Sequence, residues 1–319
     1  MDQERVLLIG GSGFVGSHVA QLLSQLGHEV TVPTRRRERA KDLLPLPTVD
    51  VVEASVQNPA DLERLVRGQD AVINLVGILH SRSGTPYGRD FAQAHFELPR
   101  KIVAACRKSG VKRLLHVSAL KAAKDAPSQY LRSKADGEAA VREGGPDIVT
   151  TVFQPSVIFG PGDKFLNTFA ELCRAFPVLP LGCADARFQP VYVEDVAASI
   201  VGSISNSDSF GQTYELCGPK VYSLRELVSY AGELIHHRPA IVSLPGPLAS
   251  LQAFVLELAP GNLMSRDNVH SMKVDNVCSG TCALPFGRVP TPLEAVAPVY
   301  LASNFPRARY LSFRSKARR

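Results

Sequence analysis

Residues 5–16, RVLLIGGSGFVG, set a short apolar run directly before Gly10, Gly13 and Gly16, spaced as GxxGxxG. An apolar run that ends in glycine reads as a buried parallel strand. The next stretch, SHVAQLLSQLGH, repeats apolar residues at 19, 22, 23 and 26, a helical period stopped by Gly27. Strand, glycine turn and helix together form the context in which this motif holds the diphosphate of a dinucleotide. Gly10 permits the tight turn, Gly13 lets backbone approach the pyrophosphate, and Gly16 lets helix and strand pack closely. Ser12, Phe14 and Val15 complete the loop. The free amides and positive end of the helix meet the phosphates.

The rhythm continues. EVTVPT, VDVVEAS, DAVINLVGI and KRLLHVSAL read as strands, and PADLERLV and ELPRKIVAACRKSG as helices between them. Alternation of this kind predicts an α/β fold, a parallel sheet covered on both faces. After residue 150 the pattern loosens. IVTTVFQPSVIFGPGD reads as one more strand and a loop, PVYVEDVAASIVGSI as a strand leading into a helix. The expected domains are a dinucleotide-binding core over 1–160, rejoined by 186–206, and a smaller C-terminal mixed α/β lobe over 161–185 and 207–306. The lobe is expected across the carboxyl ends of the sheet, where open α/β sheets bind ligands. Residues 307–319 form a basic tail.

The end of the second strand selects the dinucleotide. An NAD site usually places an acid about 20 residues past the glycines, on the ribose hydroxyls. Here that position falls in PTRRRERA, and no acid occurs before Glu38. Arg35, Arg36 and Arg37 are suited to a 2′-phosphate instead. NADP(H) is therefore the expected cofactor, with NAD(H) as the alternative.

In SQYLRSKADGE, Tyr130 and Lys134 lie four apart, about 40° around a helix, and so share a face. An ammonium near a phenol is expected to lower its pKa, letting the tyrosine pass a proton to or from a substrate oxygen. The lysine can also hold the nicotinamide ribose.

The glycine loop with YxxxK resembles the extended short-chain dehydrogenase/reductase superfamily. INLVGIL, RLLHVSAL, YLRSKADGE, FGPGDKFLNTFA, FQPVYVEDV, SRDNVHSM and TPLEAVAPVYL narrow the resemblance. They are similar to an atypical branch, the NADPH-binding accessory subunits of mitochondrial respiratory complex I and their bacterial relatives. The resemblance spans residues 5 to 303. It implies a Rossmann-type doubly wound parallel sheet, tightly held NADPH and a mainly structural role. It also implies that Asn74, Val76, Gly77, Pro155 and Val157 border the nicotinamide, with Tyr130, Lys134 and Ser118 as the catalytic candidates. Active members carry a Ser or Thr at the end of the fifth strand. Here that strand ends HVSAL, which puts Ser118 one position early and Ala119 at the reactive position. Neighbouring strand residues face opposite ways. Losing such a donor costs roughly 3–4 kcal/mol, about 100- to 1,000-fold in rate.

Two functions follow as expectations. One is a cofactor-holding accessory protein linked to respiratory complex I. The other is an active NADP-dependent oxidoreductase or epimerase acting on a small carbonyl or quinone-like substrate. The net charge of +6 resides in 307–319, RARYLSFRSKARR, and the rest of the chain balances 30 basic against 30 acidic residues. A basic tail is suited to an acidic partner or an anionic membrane surface, and a neutral body speaks against nucleic acid. The N-terminus lacks the layout of a secretory signal. A cytoplasmic location, or a peripheral one at the inner membrane, is expected. The six cysteines, Cys106, Cys173, Cys183, Cys217, Cys278 and Cys282, include no CxxC pair and read as reduced thiols, with no metal site. His236 and His237 read as solvated.

Overall fold

A computed structural model describes residues 3–258, 264–280 and 283–302. The basic tail 307–319 and Cys282 lie outside the described residues. In chain order the first elements are β1 (Arg5–Ile9), α1 (Phe14–Gln25), β2 (Glu29–Thr34), β3 (Val49–Glu53), α2 (Pro59–Val66) and β4 (Ala71–Asn74). Next come α3 (Arg89–Phe91), a π-helical turn (Ala92–Glu97), α4 (Leu98–Ser109), β5 (Arg113–Val117), α5 (Gln129–Arg142) and β6 (Val149–Pro155). The sequence stretch 148–163 is not one strand. It breaks after Pro155 and resumes as β7 (Ile158–Phe159).

After β7 follow α6 (Phe165–Ala175), β8 (Val178–Gly182), β9 (Arg187–Phe188), β10 (Val191–Tyr192), α7 (Val193–Gly202) and β11 (Thr213–Leu216). The last are β12 (Tyr222–Ser223), α8 (Leu224–Leu234), β13 (Ala240–Leu244), α9 (Gly246–Leu258), α10 (Arg266–Ser271) and α11 (Leu293–Leu301). The chain divides into two compact units. Among the described residues, the first takes 3–155, 194–216 and 284–287, and the second takes 156–193, 217–258, 264–280, 283 and 288–302.

In the first unit seven parallel strands run in the order β11-β6-β5-β4-β1-β2-β3. β4 and β5 are buried along their whole length and β1 past its first residue, as continuous apolar strands of a covered parallel sheet must be. Helices α2, α4 and α5 close one face. Leu62, Leu65, Leu98, Ile102 and Val141 pack there on Leu7, Ile9, Val72 and Leu114. Local signals fix the helix ends. Asn58 caps α2 through its bond to the Ala60 amide, Ser128 caps α5 through the Leu131 amide, and Gly110 ends α4 with φ 73°. The strand order reverses between β1 and β4, which opens a crevice at their carboxyl ends.

The second unit is built from helices α6, α8 and α11 around Phe159, Leu166, Leu227, Val228 and Ala297. Short strand pairs, β10–β7, β12–β9 and β13–β8, flank them. Asp163 accepts from the Gly160 and Leu166 amides and from the Tyr300 hydroxyl, at 3.1, 2.8 and 2.6 Å. This ties the start of α6 to α11.

One cysteine expectation is corrected here. Cys217 and Cys278 form a disulfide, with Cα atoms 6.2 Å apart and a separation of 61 positions in sequence. Gln189 brings the two segments together. Its Nε2 donates to the Gly218 carbonyl and its Oε1 accepts from the Cys278 amide, at 2.8 and 3.0 Å. That contact is tertiary and leaves no spacing signal. Cys106 and Cys173 are buried thiols and Cys183 is half-buried. His236 and His237 are exposed. No helix among the described residues is long and apolar enough to cross a membrane.

Candidate cofactor-binding site

The predicted glycine loop joins β1 to α1. Gly10 has φ +88°, where an L side chain is strained. Gly13 precedes the helix, and no side chain caps it, so the first-turn amides remain available for an anion. A Cβ on Gly16 would lie 2.3 Å from the Gly10 carbonyl oxygen and 2.6 Å from the Gly11 Cα. The close packing at Gly16 is therefore against the loop backbone, and only glycine fits. Gly13 is exposed, whereas Ser12, Phe14 and Val15 are half-buried. Phe14 stands edge-on to His18, with ring centroids 5.7 Å apart.

β2 ends at Thr34, whose hydroxyl donates to the Arg36 carbonyl at 3.0 Å and folds the turn back. Arg35, Arg36 and Arg37 follow, all exposed. Among the described residues none of their guanidinium groups is held in an ion pair. β1 and β2 are parallel neighbours, so the arginine turn and the glycine loop leave the same edge of the sheet.

At the carboxyl ends of β4 and β5, Lys134 is buried, 3% exposed. Its Nζ donates to the carbonyls of Val76 at 3.4 Å and Val117 at 3.1 Å. A Cβ on the exposed Gly77 would come 3.2 Å from that Nζ. Burial pushes the Lys134 pKa down to about 8, with Glu138 opposing. Asn74 closes β4. Its Oδ1 accepts from the Val76 amide at 3.2 Å, and its side-chain nitrogen contacts His116 Nδ1 at 3.1 Å.

Tyr130 packs against the cluster of Ala119, Ala126 and Leu131. Desolvation pushes its phenol up to about 12. This corrects the expected lowering by Lys134, whose ammonium points to the two strand-end carbonyls. Tyr130 is a neutral phenol, equipped to donate a proton. Ala119 is the residue grouped with Tyr130. Ser118, 3% exposed, donates its amide to the Phe153 carbonyl, and its hydroxyl is buried without a partner. Pro155 is buried at the end of β6 in the first unit. Val157 belongs to the second unit, where its amide donates to Asn276 Oδ1 at 3.0 Å.

Residue patterns did not single out His95. It sits on the π-helical turn, 1% exposed, stacked on Phe91 and edge-on to Tyr130. Nε2 accepts from the Ile78 amide at 3.0 Å, which leaves the proton on Nδ1 to donate to Ser133 Oγ at 2.8 Å. Ser133 Oγ donates onward to the Tyr130 carbonyl. Burial, with Lys134 adding to it, lowers the His95 pKa to about 2. A π-turn is frequent at functional positions, and no spacing rule announces one.

These residues fit a dinucleotide. The uncapped helix start, the glycine cradle that a Cβ would fill and the ammonium held at the carboxyl ends of β4 and β5 lie at the same end of the sheet in the first unit.

The model of the NAD dependent epimerase/dehydratase family matches residues 6–217. The chain is 32% identical over 298 residues to "NADH dehydrogenase [ubiquinone] 1 alpha subcomplex subunit 9, mitochondrial" of Rattus norvegicus, covering 90% of this chain and 77% of that protein. It is 30% identical over 247 residues to the ceramide reductase of Caulobacter vibrioides, covering 76% and 74%. Among solved structures, the Bordetella bronchiseptica enzyme WbmF in complex with NAD+ superposes with a TM-score of 0.66 at 20% identity, over 85% of this chain and 91% of that one. That likeness concerns the fold. The family match, reaching from β1 to the residue after β11, makes this chain a member of the NAD dependent epimerase/dehydratase family.

Proposed function

We propose that this chain holds NADP(H) as an accessory protein of respiratory complex I, with chemistry at Tyr130 slow or vestigial. The observation that carries the cofactor choice is the exposed, unpaired turn Arg35–Arg36–Arg37 directly after β2, where an NAD site would present an acid. Gly10, Ser12, Gly13, Phe14, Val15 and Gly16 bind the diphosphate, and the guanidinium groups bind the 2′-phosphate. Lys134 orients the nicotinamide ribose beside Val76 and Gly77, with Pro155 bordering the ring. Bound NADP(H) would supply a hydride donor or acceptor. The accessory role rests on the likeness to the mitochondrial subunit and on Ala119 beside Tyr130, where active relatives carry a hydroxyl.

The test is direct. Protein purified from its native host is denatured and its nucleotide identified by mass spectrometry, and calorimetry compares NADPH with NADH. NADPH in the extract and tighter NADPH binding support the reading; a chain that takes up neither overturns it. For the accessory role, a low-salt pull-down from membranes should recover complex I subunits.

A second reading is favoured by the likeness to a ceramide reductase together with the neutral phenol of Tyr130, which carries a proton to give. Tyr130 would then donate a proton to a carbonyl oxygen while NADPH supplies the hydride to its carbon. Turnover on a keto lipid that Tyr130→Phe abolishes would establish it.

A further inference from the structure

Helix α9 of the second unit is turned inside out. Its small residues face inward: Ala249 is 1% and Ala253 0% exposed. A Cβ on Gly182 of β8 would lie 2.8 Å from the Ala249 Cβ, and Gln252 Nε2 donates to the Pro180 carbonyl at 2.8 Å. Its large apolar residues face outward. Leu248, Leu251, Phe254 and Val255 are 49, 57, 43 and 57% exposed. At about 100° per residue these four occupy one arc of about 120°. Val178 and Val242, each half exposed, lie on the face of the β8–β13 pair that α9 covers at its Gly182 end.

A soluble helix normally does the reverse. The outward face has no charge of its own. Glu257, the one charged residue of α9, turns to Arg266, with contacts at 2.6 and 3.1 Å. The Arg266 guanidinium lies over the Phe254 ring at 5.2 Å, a cation held at the rim of an apolar surface.

We propose that the outward face of α9 inserts shallowly into an anionic phospholipid bilayer. Two arguments select lipid over a protein partner. The face offers on the order of 500 Å² of apolar surface, less than the roughly 800 Å² per partner of a stable protein interface. A helix lying about 5–10 Å deep at the lipid boundary needs no more than such a stripe. The second argument is charge. Firm attachment to a bilayer takes two signals, and residues 307–319 supply six Lys/Arg and no acid for the anionic headgroups. The proposal stands independently of cofactor binding.

The chain contains no tryptophan, so one introduced indole reports its own position. In full-length protein, Phe254→Trp emission should shift to the blue on vesicles containing phosphatidylglycerol, and brominated lipid should quench it. Leu44→Trp, on an exposed site of the first unit, should respond to neither. In vesicle flotation, Leu251→Asp with Val255→Asp should weaken partition by about tenfold or more, with thermal unfolding as the fold control. An unchanged Phe254→Trp spectrum would overturn the proposal. So would wild-type behaviour of the double variant, or a wild-type dimer that the double variant dissociates while vesicles bind neither. NADPH calorimetry on the same variants separates this outcome from failure of the cofactor reading.

Discussion

Lys134 on α5 donates from Nζ to the carbonyl of Val117, the last residue of β5, at 3.1 Å. This anchors an ammonium at the strand ends without an ion pair, and burial lowers its pKa from 10.5 to about 8. The unfolded chain then binds the extra proton between these values. Folding stability should therefore rise as pH increases from about 8 to 10.5, with the full penalty present below 8. The effect is at most roughly 3 kcal/mol. Urea midpoints measured across that range should show the rise, and Lys134→Met should flatten it. If the proposed ribose contact is made by the protonated amine, affinity for NADPH should decline above pH 8.

The arginine turn predicts a change in cofactor preference. Charge-assisted bonds contribute about 1.5–3 kcal/mol each, or about tenfold to a hundredfold in affinity. Replacing Arg35, Arg36 and Arg37 by Ser should weaken NADPH by at least one such bond and leave NADH nearly unchanged. Calorimetry with both nucleotides reads the ratio. An equal loss for the two would remove the 2′-phosphate from the account.

His95 predicts a loss that is largest at neutral pH and above. Removing the imidazole leaves the half-buried Ile78 amide and the buried Ser133 hydroxyl without that partner, at a cost of about 1–3 kcal/mol. With its pKa near 2, His95 is neutral throughout the working range. The unfolded chain, by contrast, protonates this imidazole below its ordinary value of 6.5, so the stability advantage of wild type over His95→Leu should be full near pH 8 and shrink by about 2 kcal/mol toward pH 5 in denaturant titrations. A difference that stays constant or grows toward pH 5 would reveal an imidazolium in the folded protein and contradict the tautomer assigned by the two hydrogen bonds.

How far the sequence predicts this molecule depends on the range of the interaction. The apolar runs of β1, β4 and β5 and the helix ends at Gly27 and Gly110 are local patterns, and the structure repeats them closely. The glycine loop is legible because Gly10 and Gly16 answer constraints within a few residues. β11 is not: TYEL is four residues long, and only its pairing with β6 defines it as a strand. The state of the Tyr130 phenol is not legible either, because YxxxK fixes the side chains on one helix face, while burial and the two strand-end carbonyls set where the charge goes. His95 and the Cys217–Cys278 bond depend on contacts between segments far apart in sequence, where no periodicity reports them.

The disulfide yields the last prediction. A cross-link spanning 61 residues restricts the unfolded chain by about 4 kcal/mol in the chain-entropy model. Both cysteines lie in the second unit, so reduction should destabilise that unit first. Gln189 and Asn276 remain to hold the strap: Asn276 Oδ1 accepts from Ser156 Oγ and from the Val157 amide at 2.5 and 3.0 Å, and its backbone amide donates to the Arg187 carbonyl at 2.8 Å. The reduced protein should therefore stay folded but lose about 2–4 kcal/mol. Mass spectrometry under non-reducing conditions should find the chain two hydrogens lighter than after treatment with a dithiol. Cys217→Ser should reproduce the lower denaturation midpoint of the reduced protein and make it insensitive to the dithiol. A wild-type midpoint that reductant leaves in place would mean that the two sulfurs are not bonded in solution.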